Sequence, residues 1–220
     1  MNLKICGATS VREISLLDSV GVKFVGLWTS ISGHKRNLDD DHFTTLATRC
    51  RRVKPVAVCV KPDIEHVANL CESTGVEWVQ LHGFGPPSQV QEFNKRGLKV
   101  IKTLHVTDAG DCPEIRWLDD YDKAGVNVFL IDRFVDRQAI GSTGQSLPPR
   151  VLRETIDLLS GRHIWLGGGL NICNLADTFD YPEIDVIDID NAARTGSIIG
   201  VRAIALQRGI QQQGASNVFQ

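Results

Sequence analysis

Cys6 closes the short run Leu3 to Cys6 near the start of the chain and is followed at once by Gly7. A thiol beside a residue small enough to let a ligand approach can serve as base or nucleophile once its pKa, about 8.5 when free, is drawn toward neutrality. Asp132 ends the largely apolar stretch 126–131, where a carboxylate either caps a loop or faces a site. His82 follows Val79-Gln80-Leu81 and reads equally as a satisfied structural histidine or a substrate contact. Two glycine-rich stretches, Gly141-Ser142-Thr143-Gly144 and Gly167-Gly168-Gly169, expose backbone N–H groups that could cradle an oxyanion.

These residues share one kind of place. Short runs rich in Val and Ile recur near residues 2–6, 23–28, 54–60, 77–81, 98–103, 126–132, 162–167 and 184–189, which reads as eight strands. Helical patterns fall between them, near 11–20, 40–51, 63–74, 87–96, 113–123, 148–159, 171–177 and 196–211. Gly21, Gly75, Gly97, Gly125 and Gly161 stand just past helix ends and before strands, as C-terminal caps do. Asp63 and the pair Pro148-Pro149 mark helix starts. Eight βα units in this length predict a single-domain α/β (β/α)8 TIM barrel over residues 1–210, with an open doubly wound sheet as the alternative. In a barrel, the C-terminal strand ends form the catalytic mouth, and Cys6, Gln80, His82, Asp132, Gly167 and the pair Asp190-Asn191 all occupy such ends. Residues 211–220 are polar and without apolar period, so a frayed tail is expected.

Bulk properties narrow the function classes. A formal net charge of -2 supplies no basic field for nucleic acid or anionic lipid. The densest basic run, Arg49, Arg51, Arg52 and Lys54, suits a solvated helix end. No stretch approaches the roughly 18 apolar residues of a membrane span, and no secretory leader is evident, so a cytoplasmic protein is expected. The six cysteines show no CxxC pair or metal-ligand spacing and read as free thiols, with no metal expected. No GxGxxG follows the first strand, and no cofactor is expected. Trp28, Trp78, Trp117 and Trp165 fit core and rim packing better than a binding cage. The expected partner is a small anionic molecule, met by a monomer or homodimer.

The ordered set Lys4-Ile5-Cys6-Gly7-Ala8-Thr9, Val79-Gln80-Leu81-His82-Gly83, Val100-Ile101-Lys102, Leu130-Ile131-Asp132, Gly141-Ser142-Thr143-Gly144 and Gly167-Gly168-Gly169-Leu170-Asn171 resembles the phosphoribosylanthranilate isomerase family. The resemblance implies an Amadori rearrangement of an N-ribosyl phosphate of anthranilate, the third step of tryptophan assembly. It implies Asp132 as the general acid that opens the ribose ring and Cys6 as the general base that removes the C2 proton. Arg36 or Lys35 matches the basic residue after strand 2 that pairs with the anthranilate carboxylate. By their place after strands 6 and 7 the glycine stretches resemble the phosphate end of a barrel, and Gln80 and His82 stand as candidate substrate contacts.

Two stretches depart from the family. Its loop after strand 8 reads Ser-Ser-Gly-Val-Glu and helps hold the phosphate, whereas this chain has Asp190-Asn191-Ala192-Ala193-Arg194. Leu147-Pro148-Pro149 replaces the family's Phe-Asp-Trp. A carboxylate about 4 Å from a phosphate oxygen costs about 1 kcal/mol in water and about 4 at an effective dielectric of 20, unless Arg194 offsets it or Asp190 faces away. The leading expectation is therefore a diverged paralogue in specialised metabolism that keeps the Cys6/Asp132 chemistry. The authentic isomerase of tryptophan biosynthesis stands next, and a non-catalytic ligand- or partner-binding barrel third.

Overall fold

The β-branched runs pair in sequence order. In the computed structural model, which describes residues 1–31, 33–135 and 146–216 with side chains as far as residue 212, eight parallel strands close on themselves. They are β1 (Asn2–Cys6), β2 (Phe24–Trp28), β3 (Lys54–Cys59), β4 (Trp78–Leu81), β5 (Lys99–Val106), β6 (Val128–Arg133), β7 (Ile164–Leu166) and β8 (Ile184–Ile189). Ile5 of β1 lies opposite Val25 on one side and Ile189 of β8 on the other, which closes the barrel and excludes the open sheet. Both faces of a parallel barrel are covered, which is why the strands read as apolar runs without strict alternation.

Alternate residues fill the barrel. Phe24, Val56, Val58, Ile101, Val128, Leu130, Trp165 and Val186 pack inside it, while the larger apolar core lies between the strands and the surrounding helices. Those helices are α1 (Val11–Val20), α2 (Asp40–Ala47), α3 (Ile64–Thr74), α4 (Pro87–Lys95), α5 (Leu118–Ala124), α6 (Pro149–Leu158) and α7 (Val201–Ser216). Their starts are written locally. The Ser10 side chain accepts from Glu13 N while the Glu13 carboxylate accepts from Ser10 N, a reciprocal cap on α1. Asp63 caps α3 through His66 N. The five glycines expected past helix ends all have left-handed φ, from 73° to 86°.

Three stretches differ from expectation. Where a helix is expected over 171–177, the chain makes only a 3-10 turn at Ala176–Asp180. The Asn174 side chain accepts from Asn171 N, and Asn171 Oδ1 accepts from Cys173 N, so these amides satisfy the backbone in a turn and compete with a helix. The segment expected to open the last helix at 196 instead forms a small antiparallel hairpin, β9 (Arg194–Thr195) and β10 (Ile198–Ile199), pinned where Ile199 N donates to Glu13 Oε1 at 2.8 Å. Beyond it, α7 continues through the polar stretch expected as tail as far as Ser216, since Gln211 and Gln212 are good helix formers. Among the described residues, no helix is long and apolar enough to cross a membrane.

Candidate active site

Period two along the strands stacks chemistry on the inner wall. Lys4 and Cys6 of β1, Asp132 of β6 and Asp188 of β8 all point inward, above the apolar fill. Cys6, Trp28, Gln80, His82, Asp132 and Asp188 line one cavity at the C-terminal mouth, together with Gly167–Gly169, Asp190 and Asn191. The residues expected at strand ends are thus brought together with Trp28, which the sequence reads as packing, and with two residues it does not single out as site groups: Asp188 on the cavity wall and Lys4, its ion-pair partner.

The Cys6 sulfur accepts a hydrogen bond from the indole Nε1 of Trp28 at 3.0 Å. Room for it comes from β2, where Gly26 lies opposite Cys6. A Cβ on Gly26 would stand 2.6 Å from Sγ and 3.2 Å from the Cys6 Cα. Burial pushes the Cys6 thiol up to about 12, against the opposing pull of the Lys4 cation. Lys4 is fully buried and donates from Nζ to Asp188 Oδ2 at 2.7 Å.

Asp132 is also buried, and that burial raises its carboxyl to about 7, with Asp188 adding to the rise and Lys4 resisting it. Its Oδ2 lies 3.7 Å from His82 Nε2. The Gln80 amide nitrogen and the Thr103 hydroxyl face His82 Nδ1 at 3.4 and 3.3 Å. An amide N–H can only donate, so Nδ1 accepts and the Nε2 proton points toward Asp132. Burial, and then the neighbouring His105 and lysines, keeps His82 neutral, well below the ordinary histidine range. Behind it, His105 Nδ1 bonds the buried Glu114 carboxylate at 2.6 Å and the His105 ring stacks on Phe84, bracing the mouth wall.

At the rim, Arg36 Nη1 donates to both carboxylate oxygens of Asp190, and Nη2 donates to Asn191 Oδ1 at 2.6 Å. Asp190 also accepts from Arg194 Nε at 3.2 Å. The remaining Arg194 nitrogens bond the Cys6, Gly7 and Ser197 carbonyls, so its guanidinium braces the outlet of β1 from behind the cavity. Two cations therefore offset the Asp190 charge, which lines the cavity without being bare. Lys35 is exposed, whereas Arg36 is buried.

Gly167–Gly169 form the neighbouring edge, after β7. A Cβ on Gly168 would stand 2.5 Å from Arg133 N and 3.0 Å from Asp132 Oδ1, so only glycine lets this loop lie against the end of β6. Gly141, Ser142, Thr143 and Gly144 lie outside the described residues. Lys4 and Asp188 could have been found from sequence, because each sits two residues before a strand-end candidate and so on the same inner face.

The profile of the N-(5'-phosphoribosyl)anthranilate (PRA) isomerase family matches residues 3–197. The N-(5'-phosphoribosyl)anthranilate isomerase of Caulobacter sp. (strain K31) is 29% identical over 202 residues, covering 88% of this chain and 89% of the relative. That of Staphylococcus aureus (strain Mu3) is 26% identical, covering 80% and 79%. In fold, the chain is similar to phosphoribosyl anthranilate isomerase from Thermus thermophilus, with a TM-score of 0.80 at 21% identity, covering 97% of this chain and 100% of that one.

Proposed function

The chain belongs to the N-(5'-phosphoribosyl)anthranilate isomerase family, and from that premise we propose that it catalyses an Amadori-type aldose–ketose rearrangement of a small anionic N-glycoside, with Asp132 as general acid and Cys6 as general base. The observation that carries this reading is the shared cavity: the two groups stand at the C-terminal ends of β6 and β1 on one inner wall, and burial holds the carboxyl at about 7, so a substantial fraction keeps its proton near neutrality. Asp132 gives its proton to the ribose ring oxygen, the ring opens to an iminium, and Cys6 removes the proton from C2. Transfers of this kind typically supply about 10² to 10⁴ in rate each.

At rest the Cys6 thiol is protonated, because burial outweighs Lys4 and the Trp28 N–H. Ring opening changes that balance. An iminium cation about 4 Å from sulfur contributes about 4 kcal/mol at an effective dielectric of 20, or about three pK units. The same cation acidifies the C2 proton. Cys6 is therefore a base chiefly in the loaded site, which protects the resting thiol from side reactions. The glycine loop at Gly167–Gly169 offers backbone N–H groups to a phosphate, and Arg36 offers its guanidinium to a carboxylate.

The test is rescue of a tryptophan auxotroph lacking this isomerase, alongside turnover of N-(5'-phosphoribosyl)anthranilate by the purified protein. The wild-type gene should rescue, and Cys6→Ala and Asp132→Asn should not. Full rescue by either variant removes that residue from the mechanism. A second reading, a diverged paralogue acting on a related substrate, is favoured by one observation: Arg36 is already held by Asp190 and Asn191. Failure of the wild-type gene to rescue, with the folded protein active on another N-glycoside, would select it.

A further inference from the structure

Asp188 faces the same cavity as Cys6 and Asp132, and its side chain is nine-tenths buried. Its two oxygens differ. Oδ2 accepts from Lys4 Nζ at 2.7 Å, whereas Oδ1 is buried with no hydrogen-bond partner in the protein. Buried carboxylate oxygens are ordinarily paired, so Oδ1 is an acceptor open to a donor carried by a ligand. Lys4, its register partner on the adjacent strand β1, favours the ionised form that burial resists.

The rearrangement, on the reading proposed above, needs such an acceptor. Four bonds to hydrogen change: the ring oxygen gains a proton, the C2–H bond breaks, C1 gains a hydrogen, and the C2 hydroxyl loses its proton as the enaminol becomes a ketone. Asp132 and Cys6 account for the first three if the thiol returns the C2 proton to C1. The other polar groups lining the cavity are poor candidates for the fourth. His82 is neutral and points an N–H outward, Gln80 is an amide, and Asp190 is bonded to Arg36 and Arg194.

We propose that Asp188 Oδ1 binds the C2 hydroxyl of the substrate and takes its proton as the enaminol collapses, with Lys4 as its counter-ion. The O2–H electron pair becomes the carbonyl π bond, and the C1–C2 double-bond pair takes the proton held by Cys6. Each turnover thus moves one proton from Asp132 to Asp188, and solvent returns it before the next. No oxidant or co-reactant is required.

The experiment follows N-(5'-phosphoribosyl)anthranilate in D2O with wild type, Asp188→Asn and Cys6→Ala, measuring product and the deuterium at C2 of recovered substrate. Asp188→Asn should lower kcat by about 100-fold or more while KM stays within about threefold. Its recovered substrate should carry more C2 deuterium per product formed than that of wild type, because proton removal at C2 continues while ketone formation stalls. If the variant left Lys4 without a counter-ion and folded poorly, Lys4→Met/Asp188→Asn removes both charges and is read in the same way. A kcat within twofold of wild type overturns the assignment, as does an equal loss of exchange and turnover in a folded variant, which would place the effect on the C–H step. If wild type neither exchanges nor converts the substrate, or if Cys6→Ala does both at full rate, the isomerase reading itself fails.

Discussion

A carboxyl held at about 7 inside the barrel has consequences that can be measured one residue at a time. As general acid, Asp132 must carry its proton, so kcat/KM is expected to fall as pH rises through about 7, and a flat profile from pH 6 to 9 would exclude it. Stability follows the same titration. The folded value lies above the ordinary 3.8, so the fold favours the protonated form, and that contribution is full below about pH 4 and lost as pH rises through about 7. About three pK units correspond to at most about 4 kcal/mol. Asp132→Asn should therefore unfold at a higher temperature than wild type at pH 8, with the gap closing toward pH 4, while turnover is lost. An unchanged Tm at pH 8 would mean that the buried carboxylate is better compensated than Lys4 and His82 allow. At this scale the sequence was informative where a reactive group ended a strand, as Cys6 and Asp132 do. It was less informative where a role depends on pairing between segments distant in sequence: period two puts Lys4 and Asp188 on the inner wall, but nothing near Lys4 announces that Asp188, 184 positions away, lies opposite it on the adjacent strand.

The elements were legible to the extent that their signals are local. Apolar β-branched runs and glycine caps mark the strands and the turns before them, because both follow from backbone preference and burial of neighbours in sequence. The hairpin at Arg194–Ile199 was not legible, since its anchor is Glu13 of the first helix and its apolar pair Ile198-Ile199 reads as the start of α7. Gly26 shows the same limit within a strand. A glycine weakens a strand interior in general, and here it makes room for the reactive thiol. Gly26→Ala should force the Cys6 side chain from its place under Trp28, lowering kcat by about tenfold or more and stability by about 1–3 kcal/mol, the usual range for overpacking. Turnover and thermal melting check both. Normal kcat with a lowered Tm would show that the position of the sulfur is not critical to the reaction.

Across the whole molecule, the Arg36, Asp190 and Arg194 network ties the loops after β2 and β8 to the outlet of β1, closing the rim where the ends of the barrel sheet meet. From sequence, Asp190 is a charge that repels phosphate unless Arg194 offsets it, and the structure shows that offset together with a second one from Arg36. With two guanidiniums on it, its field is largely offset, and its effect passes to Arg36, whose hydrogen bonds are committed to Asp190 and Asn191. A substrate carboxylate must displace that internal anion before Arg36 can bind it. Replacing Asp190 and Asn191 with serine and Ala192 with glycine frees Arg36, while Arg194 keeps its three carbonyl partners. Losing a competing ion pair worth about 1 to 4 kcal/mol should lower KM for N-(5'-phosphoribosyl)anthranilate by about fivefold or more. Because the network also staples the rim, the same triple variant should melt at a lower temperature than wild type. A lower KM with little change in kcat would identify Asp190 as a determinant of substrate choice. An unchanged KM in a folded triple variant would mean that Arg36 releases Asp190 at no cost and that selectivity lies elsewhere, with the Leu147-Pro148-Pro149 stretch as the next place to test.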